Sequence, residues 1–221
     1  MVAVAIDGPA GAGKSTIART AAAELGFIYI DTGALYRTIG LSCINKGIDC
    51  SDTEKVIPVL SQIKIDLKFI DGEQRMFLDD EDVSGLIRTE EVSMSASKVS
   101  AIPEVRAYLL ELQRGFAKTN NVIMDGRDIG TVVLPGADVK IFLTASSESR
   151  AMRRFLQLKE KGIDGDYDSI LQDIIKRDHN DMTRETAPLK AADDAVTIDT
   201  TELDLLQSIE SVISVIKEGL K

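Results

Sequence analysis

The chain has 221 residues, of which 44% are hydrophobic and 28% charged. This is enough for one full hydrophobic core and excludes a disordered tail or a disulfide-stabilised miniature domain. The formal net charge of −10 argues against a general basic surface for nucleic acid, so any bound phosphate must meet a local basic pocket. The apolar runs are too short to span a membrane, and the N-terminus lacks the basic start of a signal peptide. Cys43 and Cys50 show neither a C-x-x-C spacing nor a His partner, and both are expected to be reduced in a cytoplasmic protein.

Short apolar runs alternate with helical patterns along most of the chain. This alternation predicts a parallel sheet with helices on both faces. The predicted strands are residues 2–6, 27–30, 121–124, 139–143 and 195–198. The predicted helices are residues 14–25, about 88–118 (as one long helical region), 146–161, 169–184 and about 201–221.

Two segments depart from the alternation of strands and helices. Residues 64–70 alternate apolar and polar side chains, the pair Asp71-Gly72 follows, and residues 75–78 resume the pattern. This predicts a β-hairpin and places a small antiparallel insert at about 62–86. Residues 162–166 contain two glycines between two predicted helices, which favours the tip of a mobile lid.

The strongest motif is a phosphate-binding loop, G-x-x-x-x-G-K-[ST], between a buried strand and an amphipathic helix. Its residues are Gly8, Pro9, Ala10, Gly11, Ala12, Gly13, Lys14 and Ser15, and Thr16 is expected to start the helix. The glycines let the backbone N–H groups point inward, where they and the positive end of the helix suit a polyphosphate. Lys14 is expected to reach the β- and γ-phosphates, and the hydroxyl of Ser15 to ligate Mg²⁺. A switch GTPase is disfavoured, because Ile48 stands where the guanine-binding N-K-x-D pattern requires Asp.

Arginines follow two of the predicted strands at the sheet edge where ligands bind in such folds. Arg37 comes shortly after the second strand, on a helix that Thr32 is expected to cap, and is a candidate ligand for an acceptor phosphate. Arg127 and Asp128 come after the third strand, with Asp125 at the position of a Walker-B-like carboxylate. Alternatively, Arg37 is an ordinary surface arginine after a capped turn, and Arg127 belongs to a charged loop.

Two further groups of arginines lie on predicted helices. Arg177, Asp181 and Arg184 have a spacing of four and then three, which places them on one helical face. They fit either a site for a sugar and a phosphate or an exposed salt-bridge ladder. A second group precedes the glycine-containing tip and fits either a closing lid or a solvated basic face. Its members are Arg150, Arg153 and Arg154.

Taken together, these motifs resemble the bacterial-type cytidylate kinases of the nucleoside monophosphate kinase family, over nearly the whole chain. The segments that carry the resemblance are IDGPAGAGKST, DTGALYR, SGLIRT, ASKVSAIPEVR, DGRDIGTVV, KIFLTASSESR and RDHNDMTRETAPL. The phosphate loop alone is unspecific, whereas D-G-R-D-x-G-T-V-V followed by R-D-x-x-D-x-x-R is highly specific. One departure is Thr32, where many relatives have Ser.

The resemblance implies an α/β fold, a P-loop NTPase-like five-stranded parallel sheet with helices on both faces, a small antiparallel β insert and a short lid. It implies a single kinase domain over residues 1–221, with an acceptor-binding region at about 32–118 and the lid at about 150–170. It implies transfer of the γ-phosphoryl group of ATP to CMP or dCMP, with Mg²⁺. It also implies a monomer in the cytoplasm, with small-molecule substrates and neither nucleic acid nor membrane as a partner.

The resemblance also implies roles for individual residues. The residues implied to contact cytosine are Ser97, Arg106 and Asp128. Those implied to contact the sugar and its surroundings are Thr32, Arg177 and Asp181. Those implied to hold the acceptor phosphate or the group in transfer are Arg37, Arg127 and Arg184. ATP is assigned to the phosphate loop through Thr16 and to Arg150 and Arg154. Catalysis is assigned to Lys14, Arg127, Asp181 and Arg184, and the metal to Ser15.

Three other readings stay open from the residues alone. A P-loop kinase for UMP, AMP or a small alcohol keeps the phosphate sites but changes the base contacts. A nucleotide-dependent regulatory module would bind ATP tightly and hydrolyse it slowly without an acceptor. A polynucleotide kinase needs a basic groove, which the sequence pI of about 4.7 disfavours.

Overall fold

The computed structural model describes residues 1–70 and 72–221. The strands are β1 (Ala3–Asp7), β2 (Ile28–Asp31), β3 (Ile65–Ile70), β4 (Glu73–Leu78), β5 (Glu81–Asp82), β6 (Val122–Gly126), β7 (Val139–Thr144) and β8 (Val196–Asp199). The α-helices are α1 (Lys14–Leu25), α2 (Thr32–Asn45), α3 (Thr53–Leu60), α4 (Glu90–Val99), α5 (Pro103–Thr119), α6 (Ser147–Glu160), α7 (Tyr167–Thr183) and α8 (Leu205–Gly219). A 3₁₀ turn covers Leu86–Arg88, and a π-helical turn covers Ile129–Val133.

The larger sheet has five strands in the order β2-β6-β1-β7-β8. The pairs β1–β6, β1–β7 and β7–β8 are parallel, as the alternation of strands and helices predicts. The central strand β1 is almost wholly buried, which explains its continuous apolar sequence. Beside this sheet, α1 and α8 pack their apolar faces into a core that includes Ile17, Ile141 and Val212. The predicted fold class is therefore confirmed.

For the strands of the large sheet, most of the predicted ends differ from the observed ends by one residue. The predicted strand at 139–143 is observed at Val139–Thr144, and the first predicted helix has the observed bounds Lys14–Leu25. The expectation that Thr16 starts the first helix is wrong, because the helix begins at Lys14 after Gly13. The last helix begins at Leu205, because the side chain of Asp204 caps it and accepts a hydrogen bond from the backbone of Gln207.

The predicted insert is a three-stranded antiparallel sheet in the order β3-β4-β5. Strands β3 and β4 form the expected hairpin, with Ile65 opposite Leu78 and Ile70 opposite Glu73. Of the predicted turn, Asp71 lies outside the described residues, and Gly72 has a φ of +78°, which glycine adopts without strain. The third strand, β5, is very short and pairs with the end of β4.

The chain divides into two compact units. The first consists of residues 1–29 and 119–221, and the second is the continuous segment 30–118, which includes the three-stranded insert. Within the described residues, none of the helices is long and apolar enough to cross a bilayer.

Candidate functional site: a phosphate loop and an arginine–aspartate cluster

The phosphate loop of the first unit depends on its glycines. Gly11 and Gly13 have φ values of +76° and +88°, which disfavour other residues. Gly8 has a φ of +149°, and a Cβ atom at this position would lie 1.9 Å from the carbonyl oxygen of Leu143 on β7. The loop can therefore follow β1 closely along the end of β7 only with glycine at this position.

Two side chains at the end of the loop, Lys14 and Ser15, are held by hydrogen bonds. Lys14 is only 6% exposed, and its Nζ donates to the carbonyl oxygen of Pro9 at 2.7 Å. Burial, followed by repulsion from the Arg127 guanidinium, lowers the pKa of Lys14 to about 7. The hydroxyl of Ser15 donates to Oδ2 of Asp125 at 2.8 Å. A hydroxyl and a carboxylate thus meet beside the loop, and both are oxygen ligands of the kind that Mg²⁺ prefers.

Asp7 links the start of the loop to the backbone after β6. Its two carboxylate oxygens accept hydrogen bonds from the backbone N–H groups of Ile129 and Gly130, each at 2.7 Å. Burial raises the pKa of Asp7 to about 6, against the lowering effect of these two donors. Asp7 therefore fixes the π-helical turn that directly follows Arg127 and Asp128.

Arg127, Asp128, Asp181 and Arg184 form one cluster in the first unit. The Nε of Arg127 donates to Oδ2 of Asp181 at 2.9 Å. Arg184 forms ion pairs with Asp181 at 3.8 Å and with Asp128 at 3.6 Å. Burial alone would raise the pKa of Asp181, but Arg127, Arg184 and Arg177 together hold it below its usual value. The cluster thus keeps the Asp181 carboxylate charged and holds its guanidinium groups in fixed directions.

The expected placement of Arg184 on the same helical face as Arg177 and Asp181 is wrong. Helix α7 ends at Thr183, and Arg184 follows in an extended conformation as the C-cap. Its Nε donates to the carbonyl oxygen of Ala187 at 2.8 Å, so the chain beyond the helix orients this guanidinium. The reading of the group as an exposed salt-bridge ladder is also wrong, because the side chains of Asp181 and Arg184 are only 7% and 8% exposed.

The three lid arginines have different environments. Arg150 is buried, donates to the loop carbonyl of Ala10 at 2.9 Å and makes a bidentate ion pair with Asp178. This burial contradicts a solvated basic face for Arg150, whereas the assignment of Arg150 and Arg154 to ATP stays a prediction. Arg153 donates to the backbone of Thr200, and Arg154 is exposed.

In the second unit, the start of α2 orients Arg37. The side chain of Asp31 accepts from the backbone N–H of Ala34 at 3.0 Å and from Arg37 NH2 at 2.7 Å. The prediction that Thr32 caps this helix is therefore wrong: Asp31 is the N-cap, and Thr32 is the first helical residue and is buried. Asp31 thus serves two purposes, because it ends β2 and holds Arg37.

Of the residues assigned to the base, Ser97 and Arg106 lie in the second unit, whereas Asp128 lies in the first. Arg106 is buried, with its NH1 donating to the carbonyl oxygen of Ser100 at 3.2 Å and its guanidinium 5.6 Å from the centre of the Tyr36 ring. Ser97 is half-buried on α4. The assignment of these three residues to one base stays a prediction.

The sequence interpretation missed Asp7 and Asp178 and named Asp125 without assigning it to the site. Asp7 and Asp125 each come directly at the carboxyl end of a buried strand, which was a usable signal. Asp178 sits beside Arg177 in the motif, but its pairing with Arg150, 28 residues earlier, has no local signature.

A parallel sheet with this loop at the end of its central strand, and with arginines held by aspartates in the same unit, defines a P-loop phosphotransferase. One solved structure with this fold, a gluconokinase from Sinorhizobium meliloti, is 15% identical in sequence, with a TM-score of 0.52 over 98% of this chain and 92% of its own. At this identity the likeness shows the fold alone.

Sequence comparison identifies the family of the chain. The family model for cytidylate kinase matches residues 4–218. A cytidylate kinase of Caldicellulosiruptor bescii is 53% identical over 99% of this chain and 96% of its own length, and one of Lactobacillus johnsonii is 48% identical over 100% and 96%. The chain belongs to the cytidylate kinase family. It is a nucleoside monophosphate kinase, an enzyme that phosphorylates CMP.

Proposed function

We propose that the chain transfers the γ-phosphoryl group of ATP to CMP and dCMP, giving CDP and dCDP, with Mg²⁺. The observation that carries this proposal is the arginine–aspartate cluster in the same unit as the phosphate loop. Transfer between two phosphates places several negative charges together, and planar guanidinium groups can neutralise them with bidentate hydrogen bonds. Arg127 and Arg184 supply two such groups, and Asp181 holds both.

The donor nucleotide is assigned to the phosphate loop, residues 8–16. Its backbone N–H groups and Lys14 hold the β- and γ-phosphates, and Ser15 holds Mg²⁺ together with the carboxylate of Asp125. When bound, Mg²⁺ neutralises charge on the phosphate oxygens. Arg150 supports the loop from α6 through its bond to Ala10, which favours a role in ATP binding.

The acceptor is assigned to three groups of residues, one each for its phosphate, its sugar and its base. Arg37, Arg127 and Arg184 hold its phosphate, and Thr32, Arg177 and Asp181 serve its sugar. Ser97, Arg106 and Asp128 recognise cytosine, as the family resemblance implies. Arg37 supports this assignment, because its Nε is buried and lacks a hydrogen-bond acceptor within residues 1–70 and 72–221, so that it has a donor to offer a phosphate.

No general base is required for this reaction. The attacking phosphate oxygen of CMP is already an anion at neutral pH, so catalysis consists of positioning and charge stabilisation. The one histidine of the chain, His179, is exposed on α7. We further propose that the protein acts as a cytoplasmic monomer on small molecules, with the segment 150–170 as its lid.

The test is ADP release with ATP and Mg²⁺ against CMP, dCMP, UMP, AMP, GMP and no acceptor. We expect CMP and dCMP to dominate by orders of magnitude and Mg²⁺ removal by a chelator to abolish the activity. Dominance of another monophosphate would contradict the cytosine contacts while sparing the phosphate sites. An ADP rate independent of every acceptor would favour a regulatory module instead.

A further inference from the structure

The side chain of Gln74, on β4 of the three-stranded insert, contacts the backbone of Asp31, the N-cap of α2. Strand β2 is at the edge of the large sheet, and Asp31 is its last residue. An edge strand presents backbone N–H and C=O groups that lack a neighbouring strand. Gln74 on β4 meets both groups of Asp31: its Oε1 accepts from the N–H at 2.7 Å, and its Nε2 donates to the C=O at 3.3 Å. The amide thereby makes the two bonds that a residue of an adjacent strand would make.

The residue that Gln74 holds is also the residue that orients Arg37. The carboxylate of Asp31 caps α2 through Ala34 and accepts from Arg37 NH2 at 2.7 Å. Gly33 leaves room for this pair, because a Cβ atom there would lie 3.1 Å from both Arg37 NH1 and Asp31 Oδ1. A change in the backbone of Asp31 therefore moves the guanidinium of Arg37.

The position of Gln74 is itself fixed by the insert. Met76, two residues along the same strand, is 2% exposed, and its Sδ lies 3.4 Å from Nε2 of Gln74. The backbone N–H of Met76 donates to the hydroxyl of Ser84, which lies beyond β5. All of these residues belong to the second unit, so the connection from insert to Arg37 lies within one compact body.

We propose that Gln74 is a positioning residue for the acceptor phosphate, and that the insert serves the reaction by holding Asp31, and through it Arg37, in place. The inference rests on the proposed role of Arg37 in binding the phosphate of CMP. It gives the insert a task that its sequence does not reveal, because a single glutamine in a β-hairpin belongs to no motif.

The test compares Gln74→Ala with Gln74→Glu and with Gln62→Ala, a matched control in which an exposed glutamine of the same unit is removed. We expect Gln74→Ala to raise the KM for CMP about tenfold, the scale of one or two neutral hydrogen bonds. The KM for ATP should be unchanged. Gln74→Glu keeps the acceptor for the Asp31 N–H but places a carboxylate oxygen against the Asp31 C=O, so its KM for CMP should also rise. Gln62→Ala should match the unmodified chain.

Hydrogen exchange supplies a readout that is independent of activity. The Asp31 amide should exchange faster in Gln74→Ala than in the unmodified chain, because its acceptor is gone. Faster exchange with an unchanged KM for CMP would overturn the positioning role. Equal losses for CMP and ATP would also overturn it, since they indicate a general loss of structure. If Gln74→Ala does not fold, Gln74→Glu carries the same comparison.

The two proposals fail in different ways. If the unmodified chain prefers another monophosphate, the cytosine assignment fails, and the Gln74 comparison is made with that acceptor. If no acceptor raises the ADP rate of the unmodified chain, both proposals fail. If CMP is phosphorylated and Gln74→Ala leaves its KM unchanged, the inference on Gln74 alone is wrong.

Discussion

Lys14 is a buried cation of the phosphate loop, and we expect its charge to respond to a bound polyphosphate. Burial and the Arg127 guanidinium lower its pKa to about 7, so much of the population is neutral in mildly alkaline solution. A bound polyphosphate places negative charge beside Nζ and favours the protonated form. We therefore expect the phosphate loop to gain part of its positive charge when a polyphosphate binds.

This predicts proton uptake on ATP binding at about pH 8, where a terminal phosphate, with its second pKa of about 6, is already ionised. Calorimetry in buffers of different ionisation enthalpy measures the uptake. In Lys14→Arg the uptake should vanish, because arginine stays charged at this pH. Equal proton uptake by both proteins would contradict the assignment to Lys14.

Arg184 is held from three directions, by Asp128, Asp181 and the carbonyl oxygen of Ala187. If it stabilises charge on the phosphoryl group in transfer, Arg184→Met should lower kcat by about 10²–10³-fold. The melting temperature should change much less than the activity. Arg114→Met, at a partly exposed arginine of α5, is the matched control and should keep normal kcat. Near-normal kcat in Arg184→Met would refute the role.

At the scale of elements, α6 and α7 are joined to the phosphate loop by one arginine. Arg150 on α6 bonds to Ala10 in the loop and to Asp178 on α7, while its Nε donates to the carbonyl oxygen of Ala145. Both partners of the ion pair are largely buried, with side chains 4% and 13% exposed. Losing one partner of such a pair is costly, because the other charge stays buried and uncompensated.

We therefore predict that Arg150→Ala lowers the free energy of unfolding by about 3 kcal/mol. It should also raise the KM for ATP more than the KM for CMP, since the loop loses its support from α6. Denaturant unfolding and steady-state kinetics measure the two effects. Arg154→Ala, on the same helix but exposed, should leave the unfolding free energy unchanged. Similar stability of both variants would contradict the supporting role.

The elements of the large sheet could be predicted because each is encoded locally. A strand buried on both faces, such as β7, is a continuous apolar run, and the glycines of the loop mark the turn after β1. Helix α3 (Thr53–Leu60) was not predicted: it is short and contains Pro58. Contacts between residues far apart in the chain were not predicted either. Local spacing cannot identify the partner of Arg150 or show that Gln74 bonds the backbone of Asp31.

At the scale of the whole molecule, the second unit contains both cysteines of the chain. Cys43 and Cys50 are buried, and burial followed by the neighbouring Cys50 raises the pKa of Cys43 to about 12. A thiol with this pKa is almost entirely protonated at neutral pH and therefore a poor nucleophile. Thiol modification thus reports opening of the second unit.

We predict slow reaction of both thiols with an aromatic disulfide reagent in the native protein and rapid reaction of both in denaturant. If CMP binds only the second unit in its closed form, as the proposed acceptor residues imply, CMP at 100 times its Kd should slow the native reaction by up to about 100-fold. GMP, with the same phosphate, is the control and should have little effect. Rapid modification of the native protein would contradict the burial of the thiols. Equal protection by GMP would contradict selective binding of CMP.

The insertion of residues 30–118 into the other unit has a consequence for biosynthesis. The ribosome delivers β1 and the phosphate loop first, yet β1 pairs with β6 and β7, and its first pair joins Ala3 to Val122, 119 residues apart. Closing so long a loop costs conformational entropy before any pairing compensates for it. We expect residues 30–118, with their local hairpin and helices, to become structured on the nascent chain while β1 is still unpaired. The nucleotide-binding loop would then be the first motif synthesised and among the last to reach its final form.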